Sequence, residues 1–323
     1  MKAVSYTHYG SPDVIKLVDI KKPLPKDDQV LVKVYATSIT TADSMIREGK
    51  PWYGRLFLGL ARHKKPIAGT GFSGVIQAIG NNVRLFNIGD EVFGETGLNF
   101  SANAEYLCIS EHDVITTLTK NMSFAEAAPI CDGALTSYAF LKDIGQLSQG
   151  QRILINGAAG SLGSAAVQLA RHLGAEVSAV CSTTNISLVK SLGADHIIDY
   201  LKDDFTQLQQ RYDIIYDAVG KSSYAKCKKI LMPNGSYLSP VLSFTLLLHM
   251  LGTTKSSGKK ARFSATGLRP TTELQHLLNE LKPLFEGNKI KSVIDRQYTL
   301  EQTAEAHRYI DTGHKKGNVV AII

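Results

Sequence analysis

The sequence predicts an α/β protein with a β-rich part and a doubly wound parallel sheet. Three observations carry that expectation. The chain has 323 residues, too many for one ordinary core, so two domains are the default. From about Gln151 onward, short apolar strands alternate with helical stretches, the rhythm of a parallel sheet with right-handed crossovers. The first strand of that rhythm runs directly into a turn of small residues, Asn156-Gly157-Ala158-Ala159-Gly160-Ser161-Leu162-Gly163, which opens a helix.

The first part, residues 1–120, reads as strands separated by turn signals. Val30–Val34 is bounded by the polar turn Lys26–Gln29; Gly74–Ile79 and Glu91–Phe93 follow, with one early helix at about Ala42–Glu48. In the second part the strands Arg152–Ile155, Glu176–Val180, His196–Ile198, Asp213–Tyr216 and Ser236–Leu238 are expected. Helices are expected at Gly160–Leu173, Ile186–Leu192 and near Tyr224–Leu231. Two helical patterns, Thr272–Phe285 and Leu300–Thr312, then precede a terminal strand Asn318–Ile323.

Bulk properties exclude several classes. Hydrophobic residues make up 44% and charged residues 20%, a globular composition with neither disorder nor fibrous repeat. The first twenty residues lack a continuous apolar stretch, which argues against a secretory signal and for a cytoplasmic protein. The most apolar window, Val241–Leu251, is about half a bilayer span and reads as a buried helix, so no integral membrane contact is expected. Cys108, Cys131, Cys181 and Cys227 lie far apart, so neither a thiolate zinc site nor a disulfide framework is expected. The net charge of +7 is scattered over groups such as Arg62–Lys65, Lys255–Arg262 and His314–Lys316, without interleaved aromatics, which disfavours nucleic acid as a partner.

The small-residue turn is the chemically informative motif. Against the dinucleotide fingerprint GxGxxG, Gly160 and Gly163 match and Ala158 stands at the first glycine. Small residues are needed because the backbone must turn sharply and approach a pyrophosphate, which the free amides of the helix start then bind. The motif follows a strand, opens a helix and sits in a unit of about thirty residues, the context that makes it a Rossmann-type dinucleotide site. NAD-preferring folds carry an acidic residue at the end of the second strand. Here that point reads Cys181-Ser182-Thr183-Thr184-Asn185, without a carboxylate. Ser182, Thr183 and Asn185, assisted by Lys190 or Tyr200, suit a 2′-phosphate, so NADPH is the expected cofactor. Val219, Gly220 and Ser239 are further candidates for its site.

With those residues in view, the chain resembles the medium-chain dehydrogenase/reductase superfamily, in its zinc-free quinone oxidoreductase-like branch. The resemblance covers nearly the whole length and is most specific at Val30–Gly49, at Gly69–Gly94 with its Gly-Asp-Glu-Val-Phe-Gly, and at Gly150–Tyr200; Ala306–Val320 also fits. It implies a GroES-like catalytic domain built from both chain ends around a central Rossmann domain, with boundaries at 1–122, 123–265 and 266–323. It also implies a homodimer.

In the zinc enzymes of that superfamily three positions carry ligands; the resemblance puts Thr40, Thr70 and Asp132 there, which cannot hold catalytic zinc convincingly. Thr136 is implied to touch nicotinamide, and Lys316 and Asn318 to reach the phosphates from the far end of the chain. Without a metal, hydride addition to a quinone or an α,β-unsaturated carbonyl is the accessible chemistry, with hydrogen bonds stabilising the developing enolate. A zinc-independent alcohol or carbonyl reductase and a cofactor-binding sensor with little turnover are the alternatives.

Asp43, where the early helix begins, is the candidate proton donor; alternatively it is a first-turn carboxylate favoured by the helix dipole and paired with Arg47. Thr40, Trp52, Tyr53, Cys131 and Asp132 are candidates to line the substrate pocket, with plain packing equally open for the two aromatics and an inert buried thiol for Cys131. The stretch Trp52–Lys65 reads as a substrate lid, a lipid-touching surface helix or a packed loop.

Overall fold

The computed structural model describes residues 1–60, 67–253 and 258–323; the side chains of 57 and 58 also lie outside the described set, as do most of the expected Trp52–Lys65 feature's basic residues. Fifteen strands occur among the described residues. They are β1 Lys2–Ser5, β2 Lys16–Asp19, β3 Gln29–Ile39, β4 Gly71–Ile79, β5 Glu91–Glu95, β6 Tyr106–Ser110, β7 Ile115–Thr117 and β8 Arg152–Asn156. They continue as β9 Glu176–Cys181, β10 His196–Asp199, β11 Tyr212–Asp217, β12 Leu231–Ser239, β13 Lys260–Phe263, β14 Ile294–Thr299 and β15 Asn318–Ile322.

Two compact units result: Met1–Asp132 with Gly267–Glu286 and Ser292–Ile323, and Gly133–Thr266 with Gly287–Lys291. The first unit thus extends beyond residue 122, to Asp132. There is a local reason: Phe124 stacks on Tyr35 at 4.9 Å between ring centres, and its carbonyl accepts the Ser73 hydroxyl at 2.7 Å. Gly287–Lys291 joins the second unit, where the Gln168 amide both donates to and accepts from the Lys291 backbone at 3.0 Å.

In the first unit β3 is the long central strand. Along one edge it pairs with β4; along the other, β6 takes Gln29–Lys33 and β15 takes Ala36–Ile39, all antiparallel. The sheet order is β14-β15-β3-β4-β5-β7, with β6 beside β3. Its alternating apolar side chains Val30, Val32 and Val34 bury against Phe72, Ile76, Val92 and Leu107, the period-2 pattern that the sequence displays.

The second unit is a six-stranded sheet in the order β10-β9-β8-β11-β12-β13, every pair parallel. The first strand of this unit lies in the middle and the chain winds outward in both directions, so the switch point falls beside β8 and its glycine turn.

The structure departs from the sequence expectations in several places. Six strands carry no named expectation: β1, β2, β6 and β7 in the β-rich part, β13 (KARF), only four residues long in a basic run, and β14 (IDRQYT), mostly polar and half-exposed. Residues Cys131–Ile144, given no element above, form consecutive helical turns. The apolar window 241–251 does form a helix, Phe244–Thr253, but it is not buried: Leu246 is its one buried residue, while Phe244 is 75% and Leu251 70% exposed. Hydrophobicity marked the helix; it could not say that its outer face is left uncovered by the described residues of the unit. No described helix is long and apolar enough to cross a membrane.

Charge is also buried in the first unit. Arg47 is fully buried on the helix Thr41–Glu48, donating to Asp311 at 2.8 Å, Glu48 at 3.2 Å and the Gly10 carbonyl at 3.1 Å. This corrects the expected Asp43–Arg47 pair: Arg47 turns instead to the helix Thr303–Asp311. His307 on that helix is fully buried, 3.1 Å from the Ser44 hydroxyl through Nδ1, with Nε2 unpartnered. Burial, reinforced by the Arg47 charge and opposed by Asp311, holds its imidazole down at about 3.

Between that value and the ordinary 6.5 the unfolded chain binds a proton at this position and the folded chain does not, so acidification through this window favours unfolding. His307→Leu should therefore flatten the pH dependence of stability below about pH 6.5 by up to ~1.4 kcal/mol per pH unit. Urea unfolding of parent and variant between pH 6.5 and pH 5 measures this; parallel slopes would contradict it.

Candidate active site

The second unit holds a turn shaped for a dinucleotide. Gly157 has φ +80°, a left-handed conformation that side-chain-bearing residues avoid, and a Cβ there would come within 2.5 Å of Val219. Gly157 rather than Ala158 therefore makes the sharp turn; Ala158 and Ala159 are buried behind it. Gly163 lets the helix Ser161–His172 sit directly on the turn, since its Cβ would lie 2.1 Å from the Gly157 carbonyl oxygen. Gly160 differs. A Cβ there would meet the Gly157 oxygen at 3.5 Å and nothing closer, so glycine at this position is not demanded by packing. Gly160 is also the helix N-cap, extended and without a side-chain cap, leaving the helix start for an external anion.

Asn156 donates to Asp217 at 2.8 Å. Asp217, which sequence reasoning passed over, also accepts from the Gly220 and Ser222 amides at 3.0 and 2.9 Å and from the Tyr237 hydroxyl at 2.7 Å. It ties the ends of β8 and β11 together beneath the turn. Val219 is 42% exposed, Gly220 has φ +66°, and buried Ser239 accepts the Val241 amide at 3.2 Å. Thr136 is half-buried, and the neighbouring Ser137 hydroxyl donates to the Leu162 carbonyl at 2.8 Å.

After β9, Ser182 lies 3.2 Å from Thr184, and Asn185 donates to Ser182 at 3.1 Å while its own Oδ1 is buried without a partner. Lys190 and Tyr200 are exposed. A carboxylate does stand nearby, supplied by another strand: Asp199, at the end of β10, accepts the Thr183 hydroxyl and the Leu201 amide, and the first of these does most to hold it below the usual carboxylate range.

The first unit gathers a group of ionisable side chains. Thr40 caps the helix Thr41–Glu48, and Asp43 completes the box: Thr40 Oγ1 accepts the Asp43 amide at 3.0 Å, while Asp43 Oδ2 accepts the Thr40 amide and hydroxyl at 2.8 and 2.7 Å. Asp132 accepts the Ser38 hydroxyl on one oxygen and the Thr70 hydroxyl on the other, the latter at 2.9 Å. Gly71 makes room for it, because a Cβ there would lie 2.4 Å from the Asp132 carboxyl and 2.5 Å from the Ser38 hydroxyl.

Burial, then the charge of Asp132, pushes the Asp43 carboxyl up to about 7 and the Glu95 carboxyl to about 8. Desolvation raises Asp132 too, against its two hydroxyl bonds. Lys315 Nζ donates to the Gly317 carbonyl at 2.9 Å; burial lowers it to about 8, while Asp295 and Asp132 pull the other way. Cys131 is buried and its thiol is raised well above normal by desolvation, the behaviour of an inert side chain.

Lys316 is exposed, and its backbone amide donates to Asp295 at 2.7 Å; Asn318 is buried and donates to the Val293 carbonyl at 3.0 Å. Trp52 and Tyr53 stand edge to face at 6.2 Å and are 74% and 37% exposed, so neither is packed into a core. Glu95 and Lys315, absent from the sequence-level candidates, lie far in sequence from Asp132 and carry no local motif.

A glycine turn at the switch point of a parallel sheet and a separate β-rich unit bearing buried acids define a dinucleotide-dependent two-unit enzyme architecture. A family model described as an alcohol dehydrogenase GroES-like domain matches residues 26–147, and one described as a zinc-binding dehydrogenase matches 192–320. The 2-methylene-furan-3-one reductase of Solanum lycopersicum is 34% identical, covering 99% of this chain and 78% of its own length. The chloroplastic NADPH-dependent alkenal/one oxidoreductase of Arabidopsis thaliana is 31% identical, covering 99% and 79%. The solved quinone oxidoreductase of Coxiella burnetii, 29% identical, superposes with a TM-score of 0.87 over 100% of this chain and 99% of that one. The chain belongs to the medium-chain dehydrogenase/reductase superfamily, in its quinone oxidoreductase-like branch.

The contrast between Gly160 and Gly163 yields a paired expectation. Gly160→Val should leave a folded protein whose dinucleotide affinity falls by at least about tenfold, ~1.4 kcal/mol. Gly163→Val should lower thermal stability itself, because the clash is with backbone. Calorimetry with dinucleotide titration separates the two; unchanged binding by folded Gly160→Val would remove the turn from the site.

Proposed function

We propose that this chain is a zinc-independent, NADPH-dependent reductase of quinones or α,β-unsaturated carbonyl compounds. The observation that carries this is the chemistry around Asp132, in a chain whose relatives are named for reduction of alkenals, enones and quinones. The three positions that hold zinc in the zinc enzymes are Thr40, Thr70 and Asp132. Thr40 is occupied in a capping box, and Thr70 donates to Asp132. Two hydroxyls and a hydrogen-bonded carboxyl are a poor set for an ion that takes nitrogen and sulfur ligands. Metal analysis giving about one zinc per active chain would overturn this part, whatever the description of one matching family model.

NADPH supplies the hydride when bound. The pyrophosphate fits the Gly157–Gly163 turn, where the Gly160 position is open and the helix start is uncapped. Ser182, Thr183, Asn185, Lys190 and Tyr200 hold the 2′-phosphate, and the buried unpartnered Oδ1 of Asn185 is an acceptor suited to the ribose edge. Val219, Gly220, Ser239 and Thr136 complete the nucleotide side, with Lys316 and Asn318 contributed from the chain's far end. Thr40, Trp52, Tyr53, Cys131 and Asp132 line the substrate side. Burial, then the charge of Asp132, raises the Asp43 carboxyl to about 7, so Asp43 stands as one candidate for the proton donor, a step this function leaves open.

A homodimer is part of the same proposal. The exposed apolar row Phe244, Leu247, Leu248 and Leu251 lies on the helix that packs beside β13, an edge strand of its sheet; such a surface suits a partner. A cytoplasmic location also belongs to it; no disulfide joins Cys108, Cys131, Cys181 or Cys227 among the described residues.

The deciding experiment is an NADPH-oxidation screen over ortho-quinones, para-quinones, 2-alkenals and ring enones, with a matched saturated ketone as control. Turnover of the ketone alone would replace this function with carbonyl reduction, and no turnover at all would leave a cofactor sensor. Within it, Ser182→Asp should weaken NADPH at least about tenfold, ~1.4 kcal/mol, and improve NADH. Equal affinity of the parent for both cofactors would contradict the assignment of the 182–185 loop.

A further inference from the structure

We propose that Asp132 is the acid that delivers the proton to the α-carbon of an α,β-unsaturated carbonyl substrate, with Ser38 and Thr70 as the groups that position its carboxyl. The inference rests on the enone-reductase function above and assigns the step that function leaves open.

Four features point to Asp132 rather than Asp43. Asp132 is only part-buried, whereas Asp43 is 4% exposed and one of its oxygens already serves two bonds from Thr40. The Asp132 carboxyl is held from both sides by hydroxyls that donate to it; they bond the carboxylate more strongly than the acid, so they fix its position and stabilise the charge left once the proton is given up. Gly71 leaves the volume this carboxyl fills, so its placement is built into the sheet and does not depend on a mobile side chain. Finally, ionisable groups stand within the field of Asp132: Lys315, lowered by burial but drawn up by Asp295 and then Asp132, and Glu95, raised by burial and then by Asp132.

The step balances as follows. Hydride adds with its electron pair to the β-carbon, and the alkene pair shifts towards the carbonyl, giving an enolate. The Asp132 O–H bond breaks as an α-C–H bond forms, and the electron pair stays on the carboxylate. Proton transfer from the Lys315 ammonium or from water then restores the acid. The sum is enone, NADPH and one proton giving saturated ketone and NADP⁺. A quinone makes a smaller demand, because its reduced oxygens exchange protons with water quickly, whereas protonation at carbon is slow and gains most from a placed acid.

The test uses full-length parent, Asp132→Asn and Ser38→Ala, with a ring enone and a para-quinone. Parent oxidation of NADPH with either acceptor establishes the function first; if the parent reduces neither, the function fails and not this assignment. In Asp132→Asn, enone turnover should fall at least about tenfold more than quinone turnover, with NADPH affinity retained. The fall in enone turnover on the alkaline side, where the acid loses its proton, should vanish. Deuterium from D₂O should enter the α-carbon on one face in the parent and on both in the variant. Ser38→Ala removes a bond that favours the charged carboxyl, so its alkaline fall should move to higher pH, a response that a purely structural serine would not produce. Equal loss on both acceptors with an unmoved pH profile and retained facial selectivity would overturn the assignment. Should Asp132→Asn fail to fold, the direction of the Ser38→Ala shift decides alone.

Discussion

Everything in the first unit depends on the pairing of β3. Its eleven residues are held on one edge by β4 and on the other by β6 and then β15. A strand fixed so fully cannot slip by one residue without turning its whole apolar row outward. That constraint sets the directions of Thr37 and Ser38, delivers Thr40 to the start of the following helix, and so fixes where the Asp43 and Asp132 carboxyls are met. The Thr37 hydroxyl lies 2.8 Å from the Gly71 carbonyl oxygen and 2.7 Å from the Asn103 side-chain oxygen, sharing its one proton between them and fastening β3 to the segment that bears Thr70.

The two halves of the chemistry were legible to different degrees, and the difference is one of sequence distance. The dinucleotide turn is local: strand, turn and helix start lie within Arg152–His172, and the physical demand for small residues is written into consecutive positions. Its refinement, Gly157 as the left-handed turn and Gly163 as the packing contact, needed only backbone geometry. The acid group is assembled from residues 38, 70, 95, 132 and 315. Nothing at those separate positions announces a meeting, so Glu95 and Lys315 passed unnoticed and the adjacent Lys316 drew attention instead. Asp199 shows the same limit. The end of β9 indeed lacks an acid, yet β10 brings one alongside through Thr183.

Burial was hardest to read from composition. The helix Phe244–Thr253 has the apolar content of a core segment and faces outward, while Arg47 and His307 have polar content and no exposure at all. Hydrophobicity reports what a side chain would gain from cover, not whether the fold supplies it. For Arg47 cover comes with partners, as a buried guanidinium requires. Strands β13 and β14 escaped detection for the converse reason: their sequences show too few alternating apolar residues, and neighbours in the sheet impose the conformation.

The nesting of the units bears on how the chain is made. Strand β15 closes against Ala36–Ile39 with residues 319–322, and the helix bearing Asp311 supplies the counter-charge for Arg47. During synthesis the parallel sheet, drawn almost wholly from residues 133–266, has its strands in hand long before the β-rich unit does. The latter must keep the Ala36–Ile39 part of one β3 edge open, and Arg47 without Asp311, until residues 303–322 have been made. A nascent chain of this protein therefore carries a parallel sheet with its strands complete and a β-rich unit still unfinished, and the unfinished edge is where a chaperone would have reason to bind.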